Sequence, residues 1–196
     1  MPKHYTRRNT NRIPQHDYSK PGQYFVTICI QNRTEIFGAI KNNQMKLNDA
    51  GQMVNFWWQE MFKKYNNISI DEYTIMPNHV HGIINIVGAG SPRPDNNNNN
   101  DKIIGRGNHI VGRGNLAPTI GNIIAYFKYQ TTKQINKSQN TPGIKIWQRG
   151  YHDHIIRNDK SLNNIRQYIK TNPATWQYDL ENPNRIDNIE LLQMIV

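Results

Sequence analysis

The chain has 196 residues, with 24 Lys and Arg against 14 Asp and Glu, a formal charge of +10 and one cysteine. Such a length suits one domain with appendages, and the charge points to a polyanionic partner, nucleic acid ahead of membrane, since no basic amphipathic interfacial helix is evident. The lone Cys29 excludes internal disulfides and Cys-based zinc sites, and the absence of an ~18-residue apolar run or an apolar leader after MPKHYTRRNTNR leads to the expectation of a cytoplasmic protein with no membrane partner.

Charge is unevenly placed. Residues 1–34 hold six basic side chains (Lys3, Arg7, Arg8, Arg12, Lys20, Arg33) and one acid, Asp17, a local +5. Residues 174–196 hold Arg185 against Asp179, Glu181, Asp187 and Glu190, a local −3. The expected organisation is a basic arm over 1–20, a functional domain over 21–180, and an acidic tail over 181–196 that stands apart from a polyanion.

After the turn signal Pro21-Gly22, the β-branched and aromatic run Tyr24 to Ile30 predicts a central strand over 23–32. Glu35–Ile40 and Gln44–Leu47 flank Lys41-Asn42-Asn43 as a hairpin. Asp49 is placed to cap a helix from Ala50 to Tyr65, in which Val54, Trp57, Trp58, Met61 and Phe62 recur at helical spacing. Two further strands, Ile68–Met76 and His79–Val87, are separated by Pro77-Asn78.

From 88 to 117 the chain turns rich in Gly, Asn and Arg, includes Asn96–Asn100, and repeats Gly-Arg-Gly-Asn at 105–108 and 112–115, which reads as an insertion loop. A helix begins near Thr119, with Ile120, Ile123, Ile124, Phe127 and Thr131 on one side. Lys145–Arg157 alternates loosely as a strand, and Asp159 or Ser161 caps a last helix that runs to about Thr171 before Pro173 stops it. This order of elements fits an α+β sandwich, with helices packed on a mainly antiparallel sheet.

The hexapeptide Met76-Pro77-Asn78-His79-Val80-His81 carries the clearest chemistry. On a strand, residues i and i+2 face the same way, so His79 and His81 can present two imidazoles side by side. In the last helix Tyr168 and Asn172 are four apart and share a face, beside an apolar stripe of Leu162, Ile165 and Ile169. Asn172 could complete a metal site begun by the two histidines, with Tyr168 above it as a nucleophile. Spacing alone equally allows a tyrosine packed at a helix edge and an asparagine ending the helix before proline.

Taken with GQYFVTICIQNR, MPNHVHGIINI, IWQRGYHDHIIRN and IRQYIKTNP followed by Trp176, this arrangement resembles the REP-associated tyrosine transposases, within the single-tyrosine, His-hydrophobic-His transposases. The pieces stand in the family's order over roughly residues 20–180. The resemblance implies a ferredoxin-like sheet and cutting of single-stranded DNA beside hairpins. It assigns His79 and His81 as the metal pair, Tyr168 as the nucleophile and Asn172 as a further ligand, with Mg²⁺ or Mn²⁺ as the ion. Attack by Tyr168 would leave a 5′-phosphotyrosine and a free 3′-hydroxyl, so strand transfer needs no ATP.

For DNA contacts, Arg7, Arg8, Arg12, Lys128, Arg149 and Arg157 are expected on phosphates, and Trp147 or Tyr151 on a base. The same sequence leaves open a hairpin DNA- or RNA-binding protein without cleavage, and a zinc hydrolase built on His79, His81, His152 and His154. It also leaves open a monomer with its site in cis or a homodimer that supplies the tyrosine in trans.

Overall fold

The computed structural model describes residues 20–65, 67–87 and 118–186. The arm with Arg7, Arg8 and Arg12, the insertion 88–117 and residues 187–196 of the acidic tail lie outside the described residues.

The strands are β1 (Gly22–Cys29), β2 (Gly38–Lys41), β3 (Gln44–Leu47), β4 (Ile68–Ile75), β5 (His79–Ile86) and β6 (His152–Ile156). The helices are α1 (Asp49–Lys64), α2 (Ile120–Gln139) and α3 (Asp159–Thr171). A four-stranded sheet has the order β4-β5-β1-β6, every neighbouring pair antiparallel. β1 and β4 are thus parallel with β5 between them, and β5 and β6 are parallel with β1 between them. Linked by α1 and α2, these are two split β-α-β units, the ferredoxin-like arrangement expected above.

Alternation along the strands divides the core. Tyr24, Val26 and Ile28 of β1 and Val80, Ile84 and Ile86 of β5 join Val54, Trp58 and Met61 of α1 and Ile123, Ile124 and Phe127 of α2 in the larger cluster. On the opposite face Phe25, Ile83 and Ile156 meet Leu162, Ile165, Tyr168 and Ile169 of α3. Because both its faces are covered, β5 is almost continuously buried, which explains its unbroken apolar run. Gly82 lies under Trp58: a Cβ there would sit 2.2 Å from Trp58 Cζ2.

Several expected boundaries shift. Asn48, not Asp49, caps α1, its side chain accepting from Gly51 N; Asn158, not Asp159 or Ser161, caps α3 by accepting from Ser161 N. The two aspartates occupy the first helical turn, where their charge favours the helix N-terminus. The hairpin turns on Asn42 and Asn43, both with positive φ (51° and 59°), as a two-residue turn of primed type requires. The strand expected over 145–157 shrinks to β6. Upstream of it, Gln31 N donates to Ile146 O and Gln148 N to Cys29 O, binding the chain to the end of β1, and Gly150 at φ +82° breaks the extended run. Among the described residues no helix is long and apolar enough to cross a membrane.

Candidate active site

His79 and His81 lie on the α3 face of β5 with ring centroids 4.3 Å apart, and both are buried. A neighbour orients each ring. Thr27, directly across the ladder on β1, places its hydroxyl 2.9 Å from His81 Nδ1. Asn78 Oδ1 is 2.8 Å from His79 Nδ1, while the amide nitrogen of Asn78 donates to the carbonyls of Arg33 and Glu181. With its nitrogen spent, the Asn78 oxygen must accept, so the proton of His79 sits on Nδ1 and Nε2 carries a lone pair. That Nε2 is buried without a hydrogen-bond partner among the described residues. Burial, followed by the neighbouring His81 ring, holds His79 well below the ordinary imidazole pKa, and the ring stays neutral.

From the other side α3 brings Tyr168, whose hydroxyl oxygen is 3.0 Å from His81 Nε2 and 3.2 Å from Asp179 Oδ2. Phe25 packs against both rings, centroids 5.3 Å from His81 and 6.1 Å from Tyr168. Burial, then the Asp179 carboxylate, pushes the phenol well above its usual pKa. Asn172 follows one turn later. Its amide nitrogen donates to Asp179 Oδ2, and its Oδ1 is buried without a partner among the described residues.

Asp179 arrives by a reversal of the chain. After Pro173 the backbone makes one 3-10 turn, Trp176–Tyr178, which sets the Trp176 ring 5.9 Å from His79 and delivers the carboxylate to the cluster. Burial opposes ionisation of Asp179, but hydrogen bonding to His81, the electrostatic influence of the two neighbouring rings and the Asn172 amide outweigh it and hold the carboxyl well below its usual range. One ligand atom each of His79, His81 and Asp179 lies within 4.8 Å of the others.

The helix that carries Tyr168 is tied to the sheet beyond its apolar stripe. The register of β4 against β5 shifts between Ile70 and Tyr73, a bulge that opens the regular alternation at Asp71 and Glu72. Asp71 takes Arg166 through two parallel contacts, Nε to Oδ1 at 2.7 Å and Nη2 to Oδ2 at 2.5 Å, and Glu72 takes Lys170 at 3.2 Å. The two cations flank Tyr168 in sequence, so the pairs fix the rotation of its turn of helix.

No family model matches this sequence. An uncharacterised protein of Haemophilus influenzae is 37% identical over 172 residues, 88% of this chain and 91% of that protein. From the same organism, a protein described as a "Putative REP-associated tyrosine transposase" is 26% identical over 170 residues, covering 83% and 76% of the two chains. A solved REP-associated tyrosine transposase, bound to a REP hairpin, shares the fold at a TM-score of 0.50 with 17% identity, over 86% of this chain and 76% of that one. The chain is similar in sequence to a "Putative REP-associated tyrosine transposase" and shares the fold of a solved one. In this chain His79, His81, Tyr168 and Asn172, far apart in sequence, converge within one cluster.

Other expected site residues fall elsewhere. Trp147 is a core residue, packed on Phe37 and Phe127 with its indole nitrogen donating to Thr131 Oγ1, and offers no open face to a base. Lys128 donates to the carbonyls of Gln148 and Gly150 and shapes that loop; burial pulls its pKa down to about 8. Arg149 and Arg157 are exposed, and Tyr151 is half-buried. His152 and His154 pair with Thr27 and Phe25 on the far side of β1 from β5, so two strand spacings, about 10 Å, separate His152 from His81, and His154, opposite Phe25 and not Cys29, lies further still from His79. A hydrolase on four converging histidines is not built.

Asp179 was missing from the sequence-based set because it reads as one more acid in the negative stretch 174–196. A carboxylate eleven residues after the tyrosine, following Pro173 and an aromatic Trp176, is the signal that could have found it. Cys29 is buried, and burial, then Glu181, pushes its thiol up to about 12, in keeping with an inert thiol.

Proposed function

We propose that this chain is a DNA strand-cutting and strand-joining enzyme that acts on single-stranded DNA beside hairpins, with Tyr168 as its nucleophile and its site complete within one chain. The observation that carries this reading is the meeting of the Tyr168 hydroxyl with His81 and Asp179 in a cluster that holds two buried, unsatisfied ligand atoms, His79 Nε2 and Asn172 Oδ1. Buried polar atoms are otherwise almost always paired, and two orphaned acceptors on residues of one cluster are what a cation would satisfy.

The donor set fits such an ion. Two imidazoles held through Nδ1, an amide oxygen and a carboxylate suit a divalent cation of the Mg²⁺ or Mn²⁺ kind, and the hydrogen bonds that Thr27 and Asn78 make with the Nδ1 atoms are the outer support such ligands need. When bound by His79, His81, Asn172 and Asp179, the ion would supply charge neutralisation at a non-bridging phosphate oxygen.

The side chains account for the rest. Tyr168, fixed by the Asp71–Arg166 and Glu72–Lys170 pairs, presents its oxygen for in-line attack on phosphorus. Its proton has a carboxylate acceptor within reach, Asp179 Oδ2. The P–O3′ bond breaks, the 3′ oxygen leaves as a hydroxyl after taking a proton, and the 5′ phosphate stays on Tyr168. Attack by a second 3′-hydroxyl on that phosphotyrosine joins strands and releases the phenol. Arg149, Arg157 and the arginines of the arm are proposed to hold the phosphates of the bound strand.

The test is a cleavage assay on an oligonucleotide with a hairpin and single-stranded flanks. Cleavage that needs Mn²⁺ or Mg²⁺, stops with chelator and spares a fully duplex control supports the reading. Tight hairpin binding with no cleavage under any divalent ion replaces it with that of a binding protein.

A further inference from the structure

On the helix-covered face of the molecule, the second half of α2 and residues 143–148 enclose an open cleft of about 410 Å³. Lys128, Lys133 and Lys145 line it, and no carboxylate is among its lining residues. Lys128 is turned into the structure and braces the loop, while Lys133 and Lys145 are exposed and have no carboxylate within ion-pair distance among the described residues. Beside them two large apolar side chains face solvent, Tyr129 at 62% exposure and Ile144 at 54%.

Scattered lysines on a solvated face are ordinary, and so are single exposed hydrophobics. Here both occur in one concave, acid-free place. Unpaired ammonium groups next to an open aromatic ring and an aliphatic surface match the two halves of a single-stranded nucleotide chain, its phosphates and its base faces. A duplex would offer the phosphates but keep its bases stacked away from Tyr129.

Position links the cleft to the proposed chemistry. Its edge residue Gln148 donates its backbone N–H to Cys29 O at 2.9 Å, and Cys29 pairs with His79 across the ladder. The cleft edge therefore lies two backbone spacings, roughly 10 Å, from the strand that begins with His79. That is a distance a few nucleotides can cover around the end of the sheet.

We propose that this cleft binds single-stranded DNA flanking the scissile phosphate, with Lys133 and Lys145 on phosphates and Tyr129 stacked on a base. This rests on the reading above that single-stranded DNA is the substrate, and it adds where one flank of that strand runs.

The experiment measures binding of dye-labelled oligonucleotides by anisotropy with the full chain in the Tyr168→Phe background, so that no strand is cut. A short oligonucleotide, a hairpin with two flanking nucleotides, is compared with ones extended by six nucleotides on the 5′ or the 3′ side. Extension on one side is expected to tighten binding about tenfold or more. The Lys133→Glu, Lys145→Glu double variant is expected to lose that gain and to lower the salt dependence of log K by about 1.4, at ~0.7 per single-strand phosphate contact. Tyr129→Ala is expected to weaken the extended complex about tenfold. Neither variant should alter affinity for the short oligonucleotide or, with Tyr168 restored, the rate of adduct formation at saturating DNA.

Equal affinity of variants and parent for all lengths, equal loss on short and extended strands, no gain from extension on either side, or an equal gain from a duplex extension would each overturn the proposal. Failure of the Tyr168-containing chain to form an adduct while the anisotropy pattern holds would instead count against the cleavage reading alone.

Discussion

Tyr168 and His81 meet across the α3 face of the sheet, the phenolic oxygen 3.0 Å from Nε2. The contact joins the last helix to a strand 87 residues earlier, and it depends on three features: the two-residue period that puts His81 beside His79, the apolar stripe of α3, and the bulge in β4 that offers Asp71 to Arg166. Burial and Asp179 both favour the protonated phenol of Tyr168.

Asp179 is expected to matter as much as the histidines. Asp179→Ala should lower Mn²⁺ affinity by tenfold or more in calorimetry of the DNA-free protein, and slow adduct formation by a factor of about 10 to 100. Glu181→Gln is the control. That side chain is directed to Arg33, at 3.3 Å, and Mn²⁺ affinity should stay within about twofold.

The metal-free protein should lose stability as pH falls below about 6.5. His79 is held neutral in the fold by burial and by its neighbour ring, so the unfolded chain binds the extra proton. A depressed folded pKa contributes stability that is full above the unfolded value and declines as pH drops beneath it. Urea denaturation at pH 7.5 and 5.5 should differ by about 1 kcal/mol from this residue, and saturating Mn²⁺ should increase the dependence, because protons and metal compete for the same nitrogen. His79→Gln should flatten the metal-free profile over that window.

The Asp71–Arg166 pair should affect chemistry more than stability. Its partners are half-buried at the edge of the sheet and still reached by solvent, so Asp71→Asn should cost only about 1 kcal/mol in urea denaturation at pH 7. Arg166 lowers the Asp71 carboxyl pKa, so that contribution is present above the ordinary carboxylate value of about 3.9 and lost as pH falls through the lowered one. Adduct formation at saturating DNA should slow by tenfold or more, because the helix turn carrying Tyr168 is freed to rotate. The swap Asp71→Arg with Arg166→Asp should recover part of that rate.

Gly82 is expected to tolerate no side chain. An alanine Cβ would meet Trp58 at 2.2 Å and force the largest buried ring of the core to move. Overpacking of this kind costs about 1 to 3 kcal/mol. A drop in thermal midpoint for Gly82→Ala, with Mn²⁺ affinity preserved wherever the protein stays folded, is the outcome to measure.

Much of this structure was legible in the residues. Hydrophobic period and turn chemistry located β4, β5, α2 and the Asn42-Asn43 hairpin, because each is specified by side chains within a few positions of one another. The His79–His81 pair was legible for the same reason, as was the pairing of Tyr168 with Asn172 on one helical turn. What stayed hidden depends on contacts between distant parts of the chain. Asp179 looked like one more acid in a negative stretch until Pro173 and the turn at Trp176 folded it back, and the bulge at Asp71 leaves no local mark. Trp147 looked suited to DNA because an aromatic residue near basic ones reads the same whether it faces a base or Phe127. Asn48 and Asn158 lost the capping role to neighbouring aspartates in the sequence reading because either residue can serve, and only backbone geometry separates them.

The central claim is that Tyr168 forms a covalent bond to DNA at the His79–His81 cluster of its own chain. Incubation with Mn²⁺ and a hairpin oligonucleotide labelled on the strand 3′ of the cut, followed by denaturation, proteolysis and mass spectrometry, tests it directly. The expected result is one phosphonucleotide-modified peptide, bearing the modification on Tyr168, absent from Tyr168→Phe and not restored when that variant is mixed with His81→Ala. An adduct formed equally by Tyr168→Phe, located on another residue, or restored by mixing the two variants would contradict the account.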